Sequence, residues 1–174
     1  MVEAEFTLVL EGRWDDLTPE MADRLYEAGC DDGGVLYRDG RISITFGRQA
    51  ETVERAVRSA IADVRRAGYE VERIGESDAV GQAEMAERLG KSRQYVHQLV
   101  RGDRGPGGFP PPISLDGPSW SWREATAWLV AAGLADPIVA ETARVLAAVD
   151  ATLAYQAARR DSAALVDAIE ATIR

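Results

Sequence analysis

The residues best suited to chemistry cluster between Gln82 and Arg104, in the stretch QAEMAERLGKSRQYVHQLVRGDR. Between Lys91 and Arg104, Lys91, Arg93, Arg101 and Arg104 supply positive charge against the single acid Asp103. Gln94 and Gln98 add amides that both donate and accept, and Ser92, Tyr95 and His97 add further hydrogen-bonding groups. Arginine forks match guanine O6/N7 or phosphate, and amides match adenine N6/N7. The chemistry on offer is hydrogen bonding to a polar or anionic partner.

Composition excludes much else. Cys30 is the only cysteine and His97 the only histidine of the 174 residues. A disulfide framework, a cysteine zinc site and a multi-histidine metal site are ruled out, and any Ser-His-Asp triad would have to be built on His97. No glycine-rich phosphate loop and no recognisable acid/base carboxylate pair is present. The expectation is a protein that is not an enzyme and needs no cofactor or metal. No apolar run reaches the ~20 residues of a membrane span. Met1 to Gly12 carries acids and no basic n-region, so no secretory signal is expected and the chain reads as cytoplasmic. The net charge of −9 is uneven: residues 1–76 hold 17 acids and 10 bases, whereas residues 77–134 hold 6 of each. A globally acidic chain argues mildly against nucleic acid, and the cationic stretch at 91–104 argues for it locally.

Those residues need elements to position them. Ala83, Met85, Ala86 and Leu89 mark a short amphipathic helix that Gly90 can end in a left-handed conformation. Ser92 is an N-cap for a second helix. There Val96, Leu99 and Val100 face inward, and Arg93, Gln94, His97, Gln98 and Arg101 face out. Two short helices about a glycine turn form an angled pair. After them, Gly105 to Pro112 suits neither helix nor central strand. Ile113–Leu115 and Trp120–Trp122 then flank Asp116-Gly117-Pro118, the signature of a hairpin turn. From Arg123 a helix carries Ala127, Trp128 and Leu129 and ends near Gly133.

This spacing resembles the helix-turn-helix family: Gln82 opens the motif, Ala86 takes its small position, Gly90 its turn, and Val96 and Leu99 its buried recognition-helix positions. The longer stretch 79–134, with GPGGFPPPIS, SWSWRE and AWL, resembles the winged helix of excisionases and MerR-type regulators. That resemblance implies a sequence-specific transcriptional regulator of double-stranded DNA. Arg93 would read guanine, Gln94 or Gln98 adenine, with Ser92, Tyr95 and His97 as further contacts. Lys91, Arg101 and Arg104 would meet phosphates. Lys91 stands where the family usually has a buried aliphatic. The wing turn holds Asp116 and Ser119 and no base before Arg123, so it is not expected to grip phosphate strongly. Trp120 and Trp122 either stack on nucleic acid or anchor the wing, and two tryptophans on one strand face favour anchoring.

Before this segment the pattern reads strand, helix, strand, strand, helix, strand. Phe6, Leu8 and Leu10 alternate with Thr7, Val9 and Glu11. Thr18-Pro19 opens a helix with the stripe Met21, Ala22, Leu25 and Tyr26. Asp39-Gly40 predicts a two-residue turn that pairs Arg38 with Arg41, Tyr37 with Ile42 and Val35 with Ile44. Val53, Val57, Ala60, Ile61 and Val64 mark the second helix, whose Arg55, Arg58, Arg65 and Arg66 are either a binding face or, the favoured reading, a solvated one. Tyr69 to Ile74 is the last strand. The order βαββαβ is that of the ferredoxin-like sandwich.

The fold class expected is α+β, in three parts. Residues 1–76 are a ferredoxin-like regulatory or partner-binding domain, 77–134 the winged helix-turn-helix, and 135–174 a helical arm. In the arm, Pro137 starts a helix with Ile138, Thr142, Val145, Val149, Thr152 and Gln156 at 4-3 spacing, running to about Ala158. Asp161-Ser162 starts a last helix with Leu165, Val166, Ile169 and Ile173 inward. Such an arm suits a homodimer, because paired recognition helices read a palindrome. Two further readings stay open: an antitoxin-like protein whose acidic first domain masks a basic partner while it regulates its own promoter, and a small-ligand sensor.

Overall fold

A computed structural model describes residues 1–114 and 116–174, so the Leu115 end of the expected wing strand lies outside the described residues. The protein is mixed α+β and divides into two units: Met1–Glu76 with Ala148–Arg174, and Ser77–Ala147. The segment 135–174 is thus not a unit of its own. No helix among the described residues is long and apolar enough to cross a membrane.

The first unit is built on a four-stranded antiparallel sheet in the order β2-β3-β1-β4. Its strands are β1 (Val2–Leu10), β2 (Gly33–Arg38), β3 (Arg41–Ala50) and β4 (Val71–Ile74). Helix α1 (Pro19–Glu27) joins β1 to β2, and α2 (Val53–Arg66) joins β3 to β4. Alternation drives the packing: Ala4, Phe6, Leu8 and Leu10 of β1 are buried, as are Ile42, Ile44 and Phe46 of β3. Phe6 and Phe46 stack with centroids 5.4 Å apart. Over β1 and β3 lies α2, which buries Val53, Ala56, Val57, Ala60 and Val64.

The β2–β3 hairpin has the expected register, Arg38↔Arg41, Tyr37↔Ile42 and Val35↔Ile44. Asp39 and Gly40 both take positive φ, 52° and 77°, as a type I′ turn requires. Thr18 caps α1 through its hydroxyl, which accepts from Met21 N. Tyr26 departs from its expected place. It is 67% exposed, while Met21 and Leu25 of the same expected stripe are buried. The arginines of α2 are engaged with acids: Arg55 with Glu51, Arg58 with Glu54, Arg65 with Glu70 and Arg66 with Asp63. That is a self-neutralised, solvated face.

Arg48 continues the inward alternation of β3 and carries a guanidinium into the core at 7% exposure. Its nitrogens reach Asp32 (2.7 and 2.8 Å), Asp63 (2.7 Å), the Gly29 carbonyl (2.7 Å) and Ser59 Oγ (3.1 Å). Every charge in the cluster is met, which is the condition for burying one.

Helix α6 (Pro137–Ile173) passes from one unit into the other. Within the first unit Leu153 is buried, Asp150 Oδ1 accepts from Ile74 N at 2.8 Å, and Arg160 pairs with Glu11 at 3.2 Å. Ser162 breaks the helix (φ −149°, ψ 50°). Beyond it the chain doubles back, because Tyr155 hydrogen-bonds Glu170 and Arg159 pairs with Asp167. On a straight helix residues 155 and 170 would lie about 22 Å apart. In the last segment only Val166, as expected, and Glu170 are half-buried. Leu165, Ile169 and Ile173, expected inward, are instead 60%, 50% and 78% exposed. In the longer segment the buried positions are Ala143, Val145, Leu146 and Leu153, while Thr152 and Gln156 of the expected stripe are exposed.

Candidate nucleic-acid interface

The second unit holds β5 (Ala79–Val80), α3 (Gln82–Leu89), α4 (Arg93–Arg101), β6 (Trp120–Ser121), α5 (Trp122–Ala131) and the start of α6. Helix α3 ends at Gly90, which sits at φ 60°, ψ 35°. Lys91 N donates to Ala86 O at 2.9 Å and Gly90 N to Glu87 O at 3.0 Å, the Schellman closure that a left-handed residue permits. Ser92 then caps α4, its Oγ accepting from Tyr95 N at 3.1 Å. The turn between the helices is thus set by local hydrogen bonds.

Tertiary packing turns α4. Val96 and Leu99 are buried at 1% each, and Val96 shares a cluster with Val80, Met85, Ala86, Trp120, Trp122 and Ala125. Burying side chains of this size stabilises by ~1.5–3 kcal/mol each, more than the ~1 kcal/mol of the Ser92 cap. The core therefore decides which side of α4 faces water. On that side lie Arg93, Gln94, His97 and Arg101, all exposed. Arg93, His97 and Arg101 follow one another at four-residue steps along one line of the helix.

The expected site residues do not stand alike. Arg93 and Gln94 are free at the first turn of α4: neither has an ion pair or side-chain hydrogen bond among the described residues. Gln98 is half-buried, and its Oε1 accepts from Arg104 Nε at 3.2 Å. Of the two amides, Gln94 is the one that is exposed and without a side-chain partner among the described residues. His97 Nδ1 lies 3.2 Å from Gln82 Oε1, which ties the middle of α4 to the start of α3. Arg101 is 3.5 Å from Asp103, with both side chains well exposed. Lys91 and Arg104 both approach Tyr95, at 5.9 and 5.1 Å from its ring centroid. Lys91, Tyr95 and Arg104 thus form a cationic corner beside the exposed line of α4.

The segment after α4 differs from its expected outline. Ile113 N donates to Ser119 O at 2.8 Å, and Ser114 bridges Ser119, so the chain does turn back at Asp116-Gly117-Pro118. But β6 stops at Ser121, and Trp122 is the first residue of α5, one position before the expected start. The two tryptophans therefore do not share a strand face. Both are nonetheless buried, at 4% and 9%, as anchors of the core. Asp78 explains the shift. Its Oδ2 accepts from Ser121 Oγ and its Oδ1 from Arg123 N, both at 2.8 Å, while its carbonyl accepts from Trp122 N at 2.7 Å. Asp78 lies in the stretch that reads as a polar break, and β5 beside it is too short to show periodicity. Neither left a signal that local pattern reading can detect.

The loop 105–112 is held from below. Trp128 Nε1 donates to Gly107 O at 3.1 Å, and Phe109 meets the Trp128 ring edge-on at 5.0 Å. Among the described residues no group of His, Cys, Asp and Glu could hold a metal ion. The chain matches no protein-family model, no curated protein and no solved structure.

Proposed function

We propose that this protein is a sequence-specific double-stranded-DNA-binding regulator of transcription, not an enzyme, and that α4 is its recognition helix. The observation that supports the reading is the exposed outer side of α4, with Arg93 and Gln94 free and His97 beside them, on a helix held by Val96 and Leu99 behind a Schellman turn. A helix so presented fits the ~12 Å major groove by its N-terminal residues. Arg93 is assigned to guanine O6/N7 and Gln94 to adenine. Lys91, Arg101 and Arg104 are assigned to phosphates, Ser92 and Tyr95 to the groove edge. The unit is read as a winged helix-turn-helix like that of excisionases and MerR-type regulators. The first unit is read as ferredoxin-like from its strand order, and the regulator as a cytoplasmic homodimer.

Selection of bound sites from a random duplex library tests this. Enrichment of a motif whose half-sites lie about one helical turn apart is expected. Recovery of no motif, at low salt as well as high, overturns it.

The acidity of the first unit favours a second reading. Its 17 acids against 10 bases, with Arg55, Arg58, Arg65 and Arg66 already paired to acids, suit a basic protein partner, as in an antitoxin-like regulator. Co-purification of a basic partner from the native host would distinguish it from a plain regulator.

A further inference from the structure

We propose that, on the reading of α4 as a recognition helix, Gln82 fixes the tautomer of His97 and His97 thereby reads an exocyclic base amino group, adenine N6 or cytosine N4, through Nε2. A guanidinium such as that of Arg93 only donates, and an amide such as that of Gln94 offers both kinds of group at once. A neutral imidazole differs from both. One of its nitrogens donates and the other accepts, and the bond made by the first decides the role of the second.

The core anchors both partners. Gln82 is the first residue of α3 and is half-buried, and Val80, two positions before it, is fully buried. His97 is exposed, but Val96 beside it and Leu99 one turn-half further on are buried. The Gln82 amide turns its oxygen to the ring, with Oε1 3.2 Å from Nδ1. An amide oxygen cannot donate, so the proton of that bond belongs to Nδ1. A free imidazole favours the opposite arrangement, with its proton on Nε2. Here Nε2 keeps a lone pair instead. The two nitrogens of the ring point in widely divergent directions, so Nε2 faces away from the Gln82 oxygen. Among the described residues it has no side-chain partner.

That lone pair narrows what His97 can meet. Phosphate oxygens, guanine O6 and N7, and thymine O4 are all acceptors and offer it no hydrogen. In the major groove the base donors are adenine N6 and cytosine N4. The same ring with its proton on Nε2 would choose the reverse set. On the line Arg93, His97, Arg101 both flanking side chains only donate, so His97 supplies the acceptor of that line. Gln82 acts through His97 and is a positioning residue, which need touch no base itself.

The test has two readouts. His97 is the only histidine, so labelling histidine with a nitrogen isotope gives ring signals from this residue alone. In the chain without DNA at about pH 9, where imidazoles are neutral, wild type should carry the proton on Nδ1. Gln82→Leu should move it to Nε2, and Gln82→Glu, which keeps an acceptor oxygen, should hold it on Nδ1. Site selection from random duplexes is the second readout. One position should favour adenine or cytosine about fivefold over the other bases. His97→Ala and Gln82→Leu should lose that preference, and Gln82→Glu should keep it. A wild-type ring with its proton on Nε2 overturns the proposal, and so does a preference that survives Gln82→Leu. Recovery of no motif removes the DNA-binding reading and the base assignment with it. The ring signals of the free chain still report whether Gln82 holds the proton, so the two failures are told apart.

Discussion

Arg104 stands over the ring of Tyr95, its guanidinium carbon 5.1 Å from the centroid, while its Nε donates to Gln98. The side chain that follows α4 is thereby held in place by the chain itself. A cation ordered in advance loses less entropy on meeting a phosphate. Arg104→Ala should weaken binding to all duplexes alike and lower the salt slope of log K by about 0.9. Titrations of an operator and a scrambled duplex at several salt concentrations check this; a loss confined to the operator would reassign Arg104 to base reading.

Arg93 should behave in the opposite way. Free at the first turn of α4, it is assigned to a base edge. Arg93→Ala should cost ~1–3 kcal/mol at one position of the site and relax preference there, with non-specific affinity little changed. Repeating the site selection with the variant gives the readout.

The Arg48 cluster predicts a stability effect far from α4. Arg48→Ala leaves Asp63, whose side chain is only 14% exposed, without its buried partner. The expected loss is on the order of 3–5 kcal/mol. Acid should act on the same cluster. The hydrogen bond from Arg48 holds Asp32 below its ordinary value of 3.8. A carboxylate lowered on folding contributes stability that is present above its unfolded pKa and is lost as pH falls through the folded one. Urea unfolding between pH 6 and acid conditions should therefore show a decline below about pH 4, smaller in Arg48→Ala. Equal acid sensitivity in both proteins would contradict the assignment.

Cys30 should be unreactive in the native protein. Burial, and next the nearby Asp63 carboxylate, push its thiol up to about 11. Only the thiolate is nucleophilic, so a disulfide reagent at pH 8 should label it slowly until denaturant is added. Fast native labelling would show that the first unit opens around it.

Trp128 should protect the loop after α4. Trp128→Phe removes the indole donor to Gly107 O but keeps a ring beside Phe109. Trypsin should then cut after Arg104 sooner than in wild type, while thermal unfolding moves little. An unchanged cleavage rate would mean that ring packing alone holds the loop.

What the sequence determined by itself was whatever neighbours in the chain decide. Asp39-Gly40 specified the hairpin register, because a two-residue loop with positive φ at both positions admits one pairing. Gly90 and Ser92 specified the end of α3 and the start of α4, because both act through hydrogen bonds within a few residues. The inward Val96 and Leu99, and so the outward Arg93 and His97, followed from helical period. Only the tertiary structure decided that Trp122 opens a helix, since the carboxylate that organises that start, Asp78, is more than forty residues away. The same holds for Arg48, whose burial depends on acids from two other segments. It holds for Gln98, whose side-chain oxygen is engaged by Arg104 folding back over Tyr95 while Gln94 has no such partner. The turn at Ser162 left Leu165, Ile169 and Ile173 exposed for a related reason: periodicity tells which residues share a side, and only a partner tells which way that side points.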